Sequence, residues 1–454
     1  VSWEFRRNLW IQLTPHRLLA TPLVLGLLFF AGAKAKALTV APEFLFWMFA
    51  GFWGTRRAAD SITEEVIGAT WPSQRMAAIG AWSMTWGKLF GATAFAWYGA
   101  ALSWIAYAAA LVVDIETADW ISLPSPGELV SIIAFALLAQ AVSMLVGMIQ
   151  MRRRPRGRQL ALGLAQWAGL SCLIPFFFVT HNFDMVKRST VWWYGFPFPT
   201  QAFLMFSALA FFAWALVAVH QLMRAELQYR DVTWRLPAFA LFLLAYVTGL
   251  IPPQHLYPMP SPAWLAACGQ TMLTLFYVTL LAAPGDPIAL MRWGSALRQG
   301  HLRLVLELMP GWLPAGVVTA VIGLLAVQQA PALDAWLVRN VGVAFPIGHR
   351  VALWVAAVLT FAARDALMVL LFAVGRRPER ADVNAIIGLA VLHGILPIAL
   401  TAIGFAGHAG LTSAVPGATS MLTLAAGIAQ IVLLAILLAE RLRRLRPTAS
   451  AVPG

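Results

Sequence analysis

The chain has 454 residues, of which 60% are hydrophobic and only 11% charged, well under the roughly 25% charged content of soluble domains. That excludes an ordinary water-soluble fold. The net charge of +13 would suggest nucleic acid in a soluble protein, but in an apolar chain basic residues orient spans, so no nucleic-acid partner is expected.

The N-terminal stretch SWEFRRNLWIQLTPHR sets Phe5, Leu9 and Leu13 four apart, with Arg6 and Arg7 nearby. This predicts a helix lying in the bilayer interface. Apolar runs follow at about 18–33, 38–55, 82–112, 129–151, 159–180 and 202–223, each near the length of a membrane span. Six more lie at about 236–252, 263–283, 311–329, 351–374, 384–406 and 418–439, the third of the twelve being long enough to tilt or break. The expected fold is therefore an all-α polytopic membrane protein with about twelve transmembrane helices. Ala33-Lys34-Ala35 mimics a leader cleavage site, but keeping the first run preserves the charge sorting, so it is read as a span.

With the N-terminus inside, Arg6, Arg7, Arg17, Arg56, Arg57, Arg75 and the cluster RRRPRGR at 152–158 face the cytoplasm, and the acidic loop DIETADW faces out. This is the positive-inside pattern, with both termini cytoplasmic. The excess of arginine over lysine, with abundant alanine, suggests a GC-rich bacterial source and hence the inner membrane. Cys172 and Cys268 fall inside spans and read as packing residues rather than a disulfide pair.

The layout divides into a first six-span half, 1–228, and a second, 229–454. Each has a long inward segment after its second span (56–81 and 284–310) and an arginine cluster after its fourth, RRRPRGR and RRPERAD at 376–382. An even number of spans per half would relate them by an axis along the membrane normal.

In the first long segment, Ser61-Ile-Thr-Glu64 fits a capping box and predicts a helix starting near 61. Ala59, Ile62, Val66 and Ala69 would share one face, with Asp60 and Glu64 turned away and Pro72 ending or bending the helix. In the second, Asp286 and Pro287 form a favoured helix start, Leu290, Trp293 and Leu297 recur at helical spacing, and Arg303 stands four before Glu307.

Residues 80–88, GAWSMTWGK, lack phosphate-loop glycine spacing, and Leu89 stands where Ser or Thr is required. There is no H-E-x-x-H, G-x-S-x-G or CxxC pattern. His220 and His393 are read as packed or interfacial residues, so no catalytic residue, metal or cofactor is expected. Ionisable residues inside spans are costly and informative. Lys88 lies near the inner end of the third span, where its stem can snorkel. Arg364 and Asp365 sit centrally in the tenth and, about 100° apart on a helix, are expected to contact adjacent helices rather than each other.

The stretch around residues 60–91 resembles the region after the second span in ABC-2-type exporter permeases. There an acidic residue precedes a Gly and a Thr, and the third span begins near a Gly-Lys pair; the matching positions are Glu65, Gly68, Thr70, Gly87 and Lys88. The resemblance covers residues 1–228 and fades after 229. Ala69 interrupts Gly68 and Thr70, and Ala81-Trp82-Ser83 replaces a proline-containing turn. The resemblance implies an exporter permease subunit that is not itself an enzyme. A separate ABC-type ATP-binding subunit would seat on a coupling helix carrying Glu64, Glu65, Gly68 and Thr70, with Arg292 and Arg298 in the second half. It also implies a re-entrant element before the sixth span, where VWWYGFPFPTQ stands at 191–201. The alternative is a twelve-span ion-coupled secondary transporter, for which Asp365 is the strongest buried carboxylate. A lipid-modifying enzyme would need an interfacial polar constellation that the sequence does not assemble.

Overall fold

The computed structural model describes residues 3–34, 40–68, 70–76, 79–113, 126–153, 158–181, 190–229, 234–256, 259–282, 287–340, 351–375 and 381–444. The acidic loop 114–120, most of both arginine clusters, Ala69 and Asp286 lie outside them.

Among the described residues the chain is helical apart from one two-stranded hairpin. In order come α1 (Trp3–Gln12), α2 (Pro15–Lys34), α3 (Val40–Phe46), a π-helical stretch Trp47–Trp53, α4 (Gly54–Ile67), α5 (Trp71–Met76), α6 (Ala81–Ala92) and α7 (Ala94–Val113). Next are α8 (Pro126–Arg153), α9 (Arg158–Ser171), α10 (Ile174–His181), β1 (Thr190–Trp193), β2 (Phe196–Pro199), α11 (Thr200–Glu226) and α12 (Arg235–Leu250). The remainder comprises α13 (Pro253–Leu256), α14 (Pro262–Ala282), α15 (Pro287–Arg298), α16 (Leu302–Glu307), α17 (Trp312–Gln328) and α18 (Ala330–Asn340). It closes with α19 (Val351–Ala373), α20 (Ala381–Ala390), a π turn Val391–Ile395, α21 (Leu396–Ala402), a 3-10 turn Ala406–Leu411 and α22 (Met421–Arg444).

Among the described residues, seven helical segments are long and apolar enough to cross a bilayer, or nine if each of two bent pairs counts as one span. The chain is thus all-α with the build of a multi-pass membrane protein, and the expected count of twelve spans is not confirmed. The third run breaks by 48° between α6 and α7. At the break Thr93 turns its hydroxyl back onto Leu89 O at 2.6 Å, a bond that bends helices. The ninth run bends by 89° after Gln328, because Pro331 has no N–H and its ring obstructs the preceding turn. The fifth and seventh runs form only shorter apolar helices, Gly163–Phe177 and Arg235–Leu250. Long apolar side chains remain uncovered along α2 and α22, including Leu19, Leu23, Leu27, Ile428, Val432 and Ile436. So much exposed apolar surface suits lipid and not water.

The second run is built differently from a plain span. Its π-helical turn widens the backbone and leaves carbonyls without helical partners, which in a low-dielectric interior must be met by neighbours. Gln140 of α8 donates to Ala50 O at 2.8 Å and Gln166 of α9 to Phe52 O at 3.1 Å. Ser143 of α8 adds a bond to Thr55 O at 2.8 Å. α4 continues from this turn, so its start is Gly54 and not Ser61. Ser61 hydrogen-bonds Ala58 O as an interior residue, which overturns the capping-box expectation. The backbone was already helical upstream, so no free amide needed a cap. Asp60, expected to face away from the apolar side, is buried beside Arg56. The helix ends at Gly68, ahead of Pro72, which lies in the first turn of α5.

Contacts divide the chain into two compact units. The first comprises 1–191 and 197–231, the second 192–196 and 232–454. In the second, the hairpin tip closes the end of α12. Tyr194 donates its amide to Gly249 O at 2.8 Å and its hydroxyl to Ala245 O at 2.7 Å, and Trp193 Nε1 donates to Tyr246 O at 3.2 Å. Carbonyls left over at a helix C-terminus are thereby satisfied. Tyr194 and Gly195 both have positive φ, at 52° and 79°, as a tight two-residue hairpin turn requires.

Candidate functional site: two buried polar clusters

The first cluster lies in the first unit, where α1, α4, α5 and α6 meet. Lys88 of α6 is fully buried. It pairs with Glu4 at 3.2 Å and with Glu65, and donates to Gln74 Oε1 at 3.2 Å. The ring of Trp71 lies 5.3 Å from its ammonium. Arg7 pairs with the same two acids, at 3.0 Å from Glu4. Asn8 donates to Glu4 Oε1 at 3.1 Å and to Gly87 O at 3.2 Å. Two carboxylates thus meet two cations, which offsets the cost of taking each charge out of water.

Two sequence features assemble this cluster. α1 turns a polar stripe, Glu4, Asn8 and Gln12, toward the protein, and leaves Trp3, Trp10 and Ile11 uncovered. Residues four apart share a helix face, so the stripe was readable, but its inward direction was not. Its approach to α6 depends on glycine: a Cβ at Gly87 would lie 2.9 Å from both Glu4 Cβ and Phe5 N, and one at Gly91 would lie 2.7 Å from Asn8 Cβ. Small residues at four-residue spacing let helices approach this closely.

The positions of the ABC-2 resemblance therefore have definite places. Glu65, Gly87 and Lys88 belong to one junction. Thr70 folds back to donate its amide to Glu65 O at 3.0 Å, and Gly68 closes α4. Lys88 does not snorkel outward as expected, because Glu4 and Glu65 hold it inside. Glu65 is likewise largely covered, with 12% of its side chain exposed. Glu64 is the outward acid, bonded at 2.8 Å to Arg57. In the second unit, Arg292 and Arg298 are exposed on α15, and the apolar Leu297, Leu302 and Leu306 nearby are exposed as well.

The second cluster lies in the second unit and centres on Arg364 and Asp365, both buried. Contrary to expectation they contact each other: Arg364 Nε and Nη2 donate to Asp365 Oδ1 at 2.9 and 2.6 Å. Cα–Cβ directions diverge between neighbours, but a long arginine stem folds back where lipid offers no competing acceptor. They also reach adjacent elements, as expected. Tyr277 of α14 donates to Asp365 Oδ2 at 2.6 Å, and Arg364 reaches Gln430 of α22 at 3.1 Å and the carbonyl of Thr412. His393, read from sequence as a packing residue, belongs to this cluster; its Nε2 is 2.7 Å from Asp365 Oδ2 and its Nδ1 2.8 Å from Ser413 Oγ. It sits on the π turn, a feature frequent at functional sites. His220 does pack, stacked 4.0 Å from Trp82.

Residues 403–420, between α21 and α22, are irregular apart from the 3-10 turn, and their carbonyls are claimed by side chains of the flanking spans. Arg364 takes Thr412 O, Gln430 takes Leu411 O at 2.9 Å and Trp354 takes Ala414 O at 3.0 Å. Irregular backbone tolerates membrane depth only when satisfied in this way. The sequence signalled this cluster through Arg364 and Asp365 alone; Tyr277, His393, Ser413 and Gln430 lie too far along the chain to be paired from spacing.

Compared with protein-family models, curated proteins and solved structures, the chain matches none of them.

Proposed function

We propose that this chain is the membrane-spanning permease subunit of an ATP-driven exporter in a bacterial inner membrane, with both termini cytoplasmic, worked by a separate ABC-type ATP-binding subunit. The observation that carries the reading is the joining of Glu65 to Lys88, two of the five positions by which the chain resembles ABC-2 permeases. Glu64, Gly68 and Thr70 are exposed at the end of α4, where a partner can press. Behind them Glu65 ties α4 to α6, which leads into α7. A push on the surface is thereby transmitted to a bent span through buried ion pairs rather than flexible loops, a bistable element biased from outside. Arg292 and Arg298, with the uncovered apolar residues of α15 and α16, offer the second unit's contact surface. ATP hydrolysis would reside wholly on the partner.

The test is purification of the intact chain from its native membrane, with single cysteines at Glu64, Thr70 or Arg298 in a background lacking Cys172 and Cys268. Crosslinking of these positions to a co-purifying ATPase, in a nucleotide-dependent manner, is the expected result. Folded protein that brings down no ATPase and yields no crosslink at any of the three would end this reading.

A second reading, ion-coupled secondary transport, is favoured by the buried Asp365 cluster. Transport in ATP-free vesicles under an imposed ion gradient would support it over the first.

A further inference from the structure

Arg364 and Asp365 lie near the middle of α19, and His393 lies within the apolar segment Val383–Ala402. An ionisable cluster at such a depth is expensive and calls for a purpose beyond packing. One protonation state that meets these contacts places the His393 proton on Nε2. Asp365 Oδ1 accepts twice from Arg364, and Oδ2 accepts from Tyr277. His393 Nε2–H then donates to Oδ2, which leaves Nδ1 as the acceptor for the Ser413 hydroxyl. With the imidazole neutral, the Arg364 and Asp365 charges cancel.

The same geometry prepares a second state. About a third of the His393 side chain is exposed. A proton from water would add to the Nδ1 lone pair, and Ser413 would have to turn from donor to acceptor. The resulting imidazolium would lie 3.0 Å from the guanidinium of Arg364, two cations on one carboxylate. Arg364 is also the group that holds Thr412 O. We propose that His393, backed by Asp365, is an intramembrane proton-binding site, and that loading it loosens the Thr412–Ser413 backbone from α19. The site binds and releases a proton; no bond other than N–H is made or broken.

Among the described residues, the neighbouring elements carry these other ionisable groups, with Asp334 on α18. α14 contributes Tyr277, which already donates to Asp365. α22 contributes neutral Gln430 here, its Glu440, Arg441, Arg443 and Arg444 lying at its far end. His408, on the 3-10 turn, packs against Phe405 at 5.7 Å. Histidine is the side chain whose ordinary titration falls between about pH 5 and 8.

The experiment uses the full chain alone in lipid nanodiscs with ¹⁵N-labelled histidine, its His393 resonances identified by their loss in His393→Gln. Between about pH 8.5 and 4.5, both ring nitrogens should move to imidazolium positions. Asp365→Asn, which removes the carboxylate beside Nε2, should shift the midpoint. Ser413→Ala, which removes the hydroxyl beside Nδ1 and tests the site should Asp365→Asn fail to fold, should move it as well. Amide exchange at 411–415 should quicken about tenfold on acidification in the unmodified chain and stay flat in His393→Gln, tenfold being about 1.4 kcal/mol of opening. A His393 that stays neutral throughout, a midpoint indifferent to both variants, or exchange that quickens equally without His393 would overturn the proposal. Because no ATPase is present, the outcome is independent of what drives transport.

Discussion

Glu65 and Lys88, 23 residues apart in sequence, meet as an ion pair inside the first unit, and Lys88 has no exposed surface there. The pair joins the end of α4 to α6, the first helix of a bent pair. Removing one partner strands the other in a medium that cannot solvate it.

Lys88→Met is therefore expected to destabilise the protein by about 3–5 kcal/mol, the usual cost of breaking a buried pair. Thermal unfolding in detergent checks this. Adding Glu65→Gln to Lys88→Met should restore much of the loss, because Glu4 then remains paired with Arg7 and no surplus carboxylate is left. Added salt should leave the Lys88 contribution nearly unchanged, whereas screening would weaken the exposed Arg303–Glu307 pair.

Gly87→Ala tests the close approach of α1 to α6. The new Cβ would lie 2.9 Å from Phe5 N, and backbone cannot swing aside as a side-chain tip can. A loss of about 1–3 kcal/mol is expected. The same substitution should speed proteolysis near residues 12–14, where α1 gives way to α2; unaltered proteolysis and melting would show that the helices are not in this contact.

Gln140→Leu removes the donor that serves Ala50 O and the acceptor that serves Trp97 Nε1, the latter at 3.1 Å. Two buried groups lose their partner in one change. At about 1–3 kcal/mol for each unsatisfied group, the melting temperature should fall clearly. Gln140→Glu, which keeps the acceptor for Trp97 but loses the donor, should not rescue it.

Arg364→Met should cost about 3–5 kcal/mol by leaving Asp365 buried without its cation, and should free the 411–415 backbone to exchange with solvent. The double variant Arg364→Met with Asp365→Leu removes both charges. It should recover stability while exchange in that segment stays fast, because Thr412 O is still without its donor. Recovery of both together would mean that Arg364 does not pin the segment.

Much of the architecture was legible in the chain because a membrane span is a local property. About twenty apolar residues in succession identify themselves, and α2, α8, α11, α14, α19 and α22 lie close to where their runs stand. Breaks were harder to read. Thr93 and Pro331 are ordinary residues whose effect on direction depends on what the next turn packs against; the third run, expected to tilt or break, bends at Thr93, and the ninth ends where the chain turns ahead of Pro331. The capping box at Ser61 misled because its helix had already started seven residues upstream at Gly54, through a π turn that only the glutamines of α8 and α9 make tolerable.

The sequence by itself determined that this is an apolar, all-α chain with three costly charges inside it, Lys88, Arg364 and Asp365. Tertiary structure alone decided what those charges face. Glu4 reaches Lys88 across 84 positions, and His393 reaches Asp365 across 28. The physical reason is that burial makes a charge demand a counterpart without specifying where along the chain it lies. Only the packing of helices, set by glycines such as Gly87 and by irregular turns, chooses which distant group answers.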